Sequence, residues 1–278
     1  MKIEMAKSYG FCFGVKRAIK IAESAGEAAT IGELIHNAEE INRLKQNFGV
    51  KTLEGVSEIT DEQKLIIRTH GIQKDDLQRL KAQNKELIDA TCPFVTKPQQ
   101  IVEKMSAEGY DIVIFGDKNH PEVKGVKSYA KGRVYVVLEP AELLQIKLGS
   151  RVALVSQTTK KIENFTKIAD FLMQRARELR IFNTICNATL ENQEAVKSLS
   201  QKADVMIIVG GKNSSNTKQL FLISQNFCKD SYLIENESEL ERSWFENKSL
   251  CGISAGASTP DWIIKKVVAQ IENLTQNL

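Results

Sequence analysis

The sequence predicts an α/β protein built from three similar units, with mainly parallel sheets and a pseudo-three-fold arrangement around a central cavity. Two observations predict this fold class. Buried strand-like runs alternate with amphipathic helical runs along the chain, which is typical of parallel sheets covered on both faces. In addition, the same succession of motifs occurs three times in the same order.

Each unit begins with a cysteine that is followed by a helix. Cys12, Cys92 and Cys186 occupy this place in the three units. After Cys12 the apolar residues recur with the spacing of one helix face, at Val15, Ala18, Ile19 and Ala22.

A buried strand that runs into glycine and a polar turn comes next. The three runs are ATIGELIHN (29–37), DIVIFGDKNH (111–120) and DVMIIVGGKNSS (204–215). The glycine stands 20 residues after the cysteine in the first unit and 24 residues after it in the other two. Four residues beyond each glycine stand His36, His120 and Ser214.

Two further strands complete each unit. VKTLEGVSEI (50–59), VYVVLEPAELL (134–144) and SYLIENESEL (231–240) each read as a strand followed by an acidic turn and a short helix. KLIIRTHG (64–71), RVALVSQTT (151–159) and SLCGISAGAST (249–259) each read as a buried strand with a polar end. The predicted units are therefore 1–90, 91–184 and 185–278, and the third closes with a helix (261–274) and a short polar tail.

Polar residues concentrate at the predicted strand ends. Ligands of parallel sheets bind outside the carboxyl ends of strands, so these residues are expected to face one shared centre. They are His36, His70, His120, Glu122, Thr158, Ser214, Asn216 and Ser258, and they include all three histidines of the chain.

Several of these strand ends also begin helices, whose free N–H groups favour anions. Pro121 suits the first position of one helix, and Ser258 or Thr259 suits the cap of another before Pro260. Each residue alone is equally explained as a cap or a structural histidine. Together they indicate a compact, highly charged anion such as a diphosphate.

The five cysteines fall into two groups. Cys228 and Cys251 do not repeat and are predicted to be buried as small hydrophobic residues. The three repeated cysteines are predicted to meet around a metal, for which the pattern favours an iron–sulfur cluster and leaves zinc open. In a cubane cluster, three thiolates leave one iron free to bind substrate.

Composition excludes several classes of function. A net charge of +3 does not indicate nucleic-acid binding, and no apolar run is long enough to span a membrane. An odd, scattered set of cysteines without a secretory signal predicts reduced thiols in the cytoplasm.

Nine short motifs, in the same order, carry a family resemblance over essentially the full chain. They are GFCFGVKRAI, IGELIHN, RTHG, DATCPFVTK, DKNHPEVKG, SQTT, CNAT, GGKNSSNT and ISAGASTP. The chain resembles the LytB family of 4-hydroxy-3-methylbut-2-enyl diphosphate reductases, which act last in the methylerythritol phosphate route to isoprenoids.

The resemblance implies a 4Fe–4S cluster on Cys12, Cys92 and Cys186. It implies that the allylic alcohol contacts Thr158, with Thr159 left open, and that Glu122 delivers protons. It further implies that the substrate diphosphate is bound by His36, His70, His120, Ser214, Ser215, Asn216 and Ser258. The expected catalytic residues are Glu122, Thr158 and His120, and the expected products are isopentenyl and dimethylallyl diphosphates.

The resemblance also implies an electron donor such as a ferredoxin or a flavodoxin. Two other functions remain open from the residues alone. One is a zinc-dependent hydrolase or lyase of a phosphorylated substrate, and the other is an iron–sulfur redox sensor that only binds an anion.

Overall fold

The computed structural model describes residues 1–276, so the last two residues of the predicted tail lie outside the described residues. This part of the chain contains twelve strands and nine α-helices. The strands are β1 (Lys2–Met5), β2 (Ala28–Ile31), β3 (Val50–Leu53), β4 (Lys64–Ile67), β5 (Glu86–Asp89), β6 (Asp111–Phe115), β7 (Val134–Val137), β8 (Arg151–Ser156), β9 (Glu178–Ile181), β10 (Val205–Val209), β11 (Ser231–Ile234) and β12 (Leu250–Ala255). The helices are α1 (Phe13–Ala25), α2 (Ala38–Phe48), α3 (Lys74–Lys81), α4 (Pro93–Ala107), α5 (Pro121–Lys127), α6 (Ile162–Met173), α7 (Asn187–Ser200), α8 (Ser215–Phe227) and α9 (Asp261–Thr275).

The strands of the described residues form three parallel sheets of four strands each. The strand orders are β3-β2-β4-β5, β7-β6-β8-β9 and β11-β10-β12-β1. All neighbouring strands in them run parallel. The three orders are equivalent, which confirms the α/β class and the repeat of parallel sheets.

The nine strands predicted from the sequence are present, and each sheet has one strand more. The additional strands β1, β5 and β9 lie at sheet edges and have four partly exposed residues each. They carry no continuous apolar run, which is the signal that identified the other strands. The extra strand of the third sheet comes from the start of the chain, where Lys2 pairs with Leu250.

The described chain divides into two compact lobes. The first lobe comprises Met1–Lys16, His36–Arg43 and the described residues from Asn187 onward. The second lobe comprises Arg17–Ile35 and Leu44–Cys186. The first lobe holds the sheet of β1, β10, β11 and β12, and the second holds the other two sheets. The division into units 1–90, 91–184 and 185–278 stays a prediction.

Central strands are buried on both faces because helices cover both sides of a sheet. In the first lobe, Ile207 of β10 packs with Ile263 and Val267 of α9, whereas Ile208 packs with the cluster on α7 and α8. All of these side chains are fully buried, and each stabilises the fold by about 1.5–3 kcal/mol. None of the described helices is long and apolar enough to cross a bilayer.

Of the two helix starts predicted at site segments, one agrees with the structure and the other does not. Helix α5 begins at Pro121, as predicted. Helix α9 begins at Asp261 with Pro260 as its cap, so the prediction that Ser258 or Thr259 caps it is wrong. Both hydroxyls donate instead to distant carbonyl groups, each at 3.0 Å.

Candidate active site

Each repeated cysteine lies between the last strand of a sheet and the first turn of a helix. Cys12 follows β1 and precedes α1, Cys92 follows β5 and caps α4, and Cys186 follows β9 and precedes α7. The three local environments are therefore equivalent.

A backbone hydrogen bond joins each of these cysteines to the neighbouring strand of its sheet. The N–H of Cys12 donates to the carbonyl of Ala257 at 3.2 Å. In the same way, Cys92 donates to Thr69 and Cys186 donates to Thr158, both at 3.0 Å. Each acceptor lies two residues beyond the end of its strand. The residues that follow these acceptors are His70, Thr159 and Ser258. Each cysteine backbone is thus bonded to a strand end that carries a predicted substrate residue.

Burial separates the repeated cysteines from the other two. Cys12, Cys92 and Cys186 are half-buried, whereas Cys228 and Cys251 are buried. Burial raises the pKa of Cys228 and raises the pKa of Cys251 to about 12, so both remain neutral thiols at pH 7. The prediction that these two residues are buried is confirmed.

Glu122 and Thr158 form a buried pair in the second lobe. Glu122 lies in the first turn of α5 and is only 2% exposed. One carboxylate oxygen accepts the backbone N–H of Thr158, and the other accepts its hydroxyl, both at 2.7 Å. The pair joins the start of α5 to the end of β8, so Glu122 does more than stabilise the dipole of its own helix.

The electrostatic environment of Glu122 suits a proton donor. Burial raises the pKa of its carboxyl group, although the two hydrogen bonds from Thr158 and the charge of Lys160 act in the opposite direction. A carboxyl group with a raised pKa holds its proton at a higher pH than an exposed glutamate does.

His70 and His120 also lie together in the second lobe. Their ring centroids are 5.5 Å apart, and the ring planes are inclined by 81°. Nδ1 of His120 accepts the backbone N–H of Glu122 at 3.2 Å, which leaves the proton of a neutral ring on Nε2.

In the first lobe, a buried amide lacks a partner at the start of α8. Ser214 caps this helix by accepting the N–H of Thr217 at 3.3 Å. Asn216 is 4% exposed, and neither polar atom of its side chain has a hydrogen-bond partner among the described residues. Leaving a buried polar group unpaired costs about 1–3 kcal/mol, so the geometry favours a ligand that hydrogen-bonds to it.

The loop that carries His36 packs against two other loops of the first lobe. The Ser258 hydroxyl donates to the His36 carbonyl oxygen. A Cβ at Gly211 would come within 2.6 Å of the same oxygen, so only glycine permits this close approach. The strand-end loops that carry His36, Ser214 and Ser258 therefore contact one another.

The hydroxyl groups of Thr158 and Thr159 have different surroundings. The Thr158 hydroxyl is buried and donates a hydrogen bond to Glu122. The Thr159 hydroxyl is half-buried and accepts a hydrogen bond from Nε2 of Gln157 at 3.2 Å. This difference favours Thr158 as the residue that works with Glu122. Ser215 is the first residue of α8, beside Ser214 and Asn216.

The predicted site residues divide between the lobes. The first lobe holds Cys12, His36, Ser214, Ser215, Asn216 and Ser258. The second lobe holds His70, Cys92, His120, Glu122, Thr158, Thr159 and Cys186. That both sets serve one substrate stays a prediction.

Two positioning residues were not singled out from the sequence. The Thr69 hydroxyl donates a hydrogen bond to the Leu34 carbonyl at 2.8 Å, while the Thr69 carbonyl accepts the backbone N–H of Cys92. Gln157 is 1% exposed and its side-chain oxygen accepts the N–H of Asp117 at 3.0 Å. The repeat alignment could have identified Thr69, because it aligns with Thr158, which was predicted as a site residue.

A third unpredicted feature is the buried carboxylate of Glu40, which supports the His36 loop. It accepts Nε1 of Trp262 in α9 at 2.9 Å and two guanidinium N–H groups of Arg43. The Asn37 side chain, next to His36, accepts the N–H of Glu40 at 2.9 Å. Glu40 therefore joins the start of α2 to α9.

We expect Glu40→Ala to lower the free energy of unfolding by about 2–3 kcal/mol, because it leaves the donors of Trp262 and Arg43 without their acceptor. Urea denaturation measures this loss. Glu39→Ala is the matched control, since Glu39 is exposed in the same helix turn and should cost no more than about 0.5 kcal/mol. Equal losses in both variants would contradict the structural role of Glu40.

Comparison with known proteins yields one consistent family. The family model described as LytB protein matches residues 3–272. A relative from Campylobacter hominis, named 4-hydroxy-3-methylbut-2-enyl diphosphate reductase, is 76% identical over 99% of this chain and 100% of its own length. A relative of the same name from Campylobacter jejuni subsp. doylei is 66% identical over 100% of both chains.

Two solved structures are similar over nearly the whole chain. One, described as (E)-4-hydroxy-3-methyl-but-2-enyl diphosphate reductase, the terminal enzyme of the non-mevalonate pathway, has 42% identity, a TM-score of 0.72 and coverage of 98% of this chain and 99% of its own. The other, an E-1-hydroxy-2-methyl-but-2-enyl-4-diphosphate reductase from Plasmodium falciparum, has 27% identity, a TM-score of 0.91 and coverage of 99% and 89%.

Proposed function

Because the chain belongs to the LytB protein family, we propose that it reduces 4-hydroxy-3-methylbut-2-enyl diphosphate in the last step of the non-mevalonate pathway. The reaction consumes two electrons and two protons. It breaks the C–O bond of the allylic alcohol, releases the oxygen as water, and leaves isopentenyl or dimethylallyl diphosphate.

The proposal assigns one 4Fe–4S cluster to Cys12, Cys92 and Cys186. The donor set fits this group, because these three thiols are half-buried and stand at equivalent helix starts. A bound cluster supplies electrons and, at the iron without a protein thiolate, a Lewis acid for the substrate oxygen. Cys228 and Cys251 are unsuited, because burial keeps their thiols protonated.

The diphosphate is assigned to residues of both lobes. In the first lobe the unpaired amide of Asn216, at the N-terminus of α8, is the observation that supports an anion. His36, Ser214, Ser215 and Ser258 complete this set. In the second lobe, His70 and His120 are proposed to supply imidazole N–H groups, and Nε2 is the nitrogen that carries the proton in a neutral His120 ring.

Glu122 is the proposed proton donor. Hydroxide is a poor leaving group, so the substrate oxygen must be protonated as the C–O bond weakens. The Thr158 hydroxyl, which bonds to Glu122, is placed in this proposal to hydrogen-bond to the substrate alcohol. Glu122 then passes a proton toward that oxygen and is reprotonated from solvent. The buried Glu122–Thr158 pair is the observation that carries the proposed chemistry.

Two further assignments complete the proposal. A ferredoxin or a flavodoxin is the proposed electron donor. The reducing cytoplasm is the proposed location, since an odd and widely scattered set of five cysteines argues against a disulfide framework.

An anaerobic turnover assay with metal and sulfide analysis tests the proposed function. We expect iron and acid-labile sulfide in a ratio of about one to one, and consumption of the allylic diphosphate with dithionite as reductant. Zinc without sulfide would indicate a hydrolase or lyase. Cluster content without substrate consumption would indicate a protein that only binds an anion.

A further inference from the structure

An open cavity lies on the second lobe at the start of helix α4, among residues that the proposed reaction does not use. Its volume is about 420 Å³. Its lining includes Arg17 of α1, Asp89 of β5, and Thr96, Lys97 and Gln100 of α4. Cys92 caps this helix, so the cavity adjoins one proposed cluster ligand.

The surface around this cavity is positively charged. Arg17 is held in the wall by hydrogen bonds to the carbonyls of Asp89 and Thr91, both at 3.2 Å. Lys97 and Lys104 lie seven residues apart on the exposed face of α4, and among the described residues neither forms an ion pair. Asp89 is the acidic residue of the lining, and its carboxylate accepts the N–H of Thr91. The positive groups therefore remain available to a partner.

An exposed aromatic side chain stands beside these charges. Phe94, in the first turn of α4, is 41% exposed. An apolar aromatic group with a charged rim is the usual composition of a protein interface. With a helix rise of 1.5 Å per residue, Phe94 lies about 3 Å and Lys97 about 7.5 Å along the axis from Cys92. A protein bound here has a short path to the Cys92 thiol.

We propose that this α4 surface, formed by Arg17, Phe94, Lys97, Gln100 and Lys104, is the docking site of a small acidic one-electron carrier protein. The inference rests on the proposed function, which requires an external source of electrons. Each docking event transfers one electron and oxidises the carrier by one electron, so two events supply the two electrons of the reaction. Positive charge on the chain attracts the acidic carrier and orients it for this brief contact.

Binding of the holoenzyme to a purified acidic flavodoxin, measured by calorimetry at low ionic strength, tests the proposal. We expect Lys97→Glu to weaken binding about tenfold, and added salt to weaken wild-type binding. Phe94→Ala should weaken binding as well, without the same dependence on salt. Turnover driven by flavodoxin should fall in parallel, while turnover driven by dithionite stays unchanged.

Lys167→Glu is the matched control, because it makes the same charge change on the opposite face of the sheet. Helix α6 carries Lys167 and packs Phe165 against Phe115, whereas Val102 of α4 packs against Ile112.

Wild-type affinity in Lys97→Glu and Phe94→Ala, or no binding of flavodoxin to the wild type, would overturn the docking site. Lack of dithionite-driven turnover in the wild type would instead count against the proposed function, and the binding data would still stand.

Discussion

Glu122→Gln is expected to slow dithionite-driven turnover by about 10²–10⁴-fold, the usual contribution of a general acid. Glutamine has nearly the same shape: its side-chain oxygen can accept the N–H of Thr158, and its NH2 group can donate to the Thr158 hydroxyl oxygen, so the fold and the cluster content should be retained. It cannot release a proton to the leaving oxygen. Single-turnover rates, with iron and sulfide content measured on the same samples, check this expectation.

The pH dependence provides a second signature of the same residue. Because the pKa of Glu122 is raised, the wild-type rate should fall as the pH rises through that pKa, when the donor loses its proton. The contribution of Glu122 to the free energy of unfolding should also fall as the pH rises. The folded state holds this proton more tightly than the unfolded state, so the stabilisation is complete below the unfolded value of 4.5 and is lost as the pH rises through the folded pKa. Both effects should be absent in Glu122→Gln.

Glu163→Gln is the appropriate control for Glu122→Gln. Glu163 stands in the first turn of α6 and is exposed, so this variant makes the same substitution at a first-turn glutamate outside the proposed site. Its turnover should stay within about twofold of the wild type, because surface substitutions have small effects. A near-normal rate in Glu122→Gln with intact cluster would remove Glu122 from the proton path.

Serine at any one of Cys12, Cys92 and Cys186 is expected to abolish stable cluster binding and with it essentially all turnover. The alkoxide that iron would need is far less available than a thiolate, because a serine hydroxyl does not ionise near neutral pH. Iron and sulfide analysis after anaerobic purification measures the loss. Circular dichroism establishes that each variant remains folded.

Cys228→Ser is the matched control for the cysteine variants. Cys228 is buried, its thiol donates a weak hydrogen bond at 3.7 Å to the Asp230 carbonyl, and it lies at none of the three repeated helix starts, so the substitution should leave the cluster ligands unchanged. We expect normal iron content and turnover. A full complement of iron in one of the three ligand variants would exclude that cysteine from the cluster.

Periodicity and repetition were sufficient to predict most of the fold. Six of the nine predicted strands (β2, β4, β6, β8, β10 and β12) are central and strongly buried, and alternation with helices indicates a parallel arrangement. Cys228 and Cys251 were recognised as buried because they fall outside the repeat. The edge strands β1, β5 and β9 were missed because strand pairing depends on a neighbouring strand, which a local pattern does not record.

The pairing of β1 with β12 illustrates the limit of a linear analysis. Lys2 and Leu250 lie at opposite ends of the chain, yet they pair in one sheet. This pairing supplies the fourth strand before Cys12, as β5 and β9 do before the other two cysteines. The equivalence of the three cysteine sites is therefore complete only in the folded chain.

The order of the motifs determined, from the sequence by itself, the fold class, the three equivalent cysteines and the set of polar strand ends, because these properties reside in residue type and spacing. Only the tertiary structure decided that Glu122 is buried on Thr158, that the Asn216 amide lacks a partner and that Glu40 bonds to Trp262. Burial and hydrogen bonding between residues far apart in the chain depend on how the elements pack, and a raised pKa such as that of Glu122 arises from the same packing.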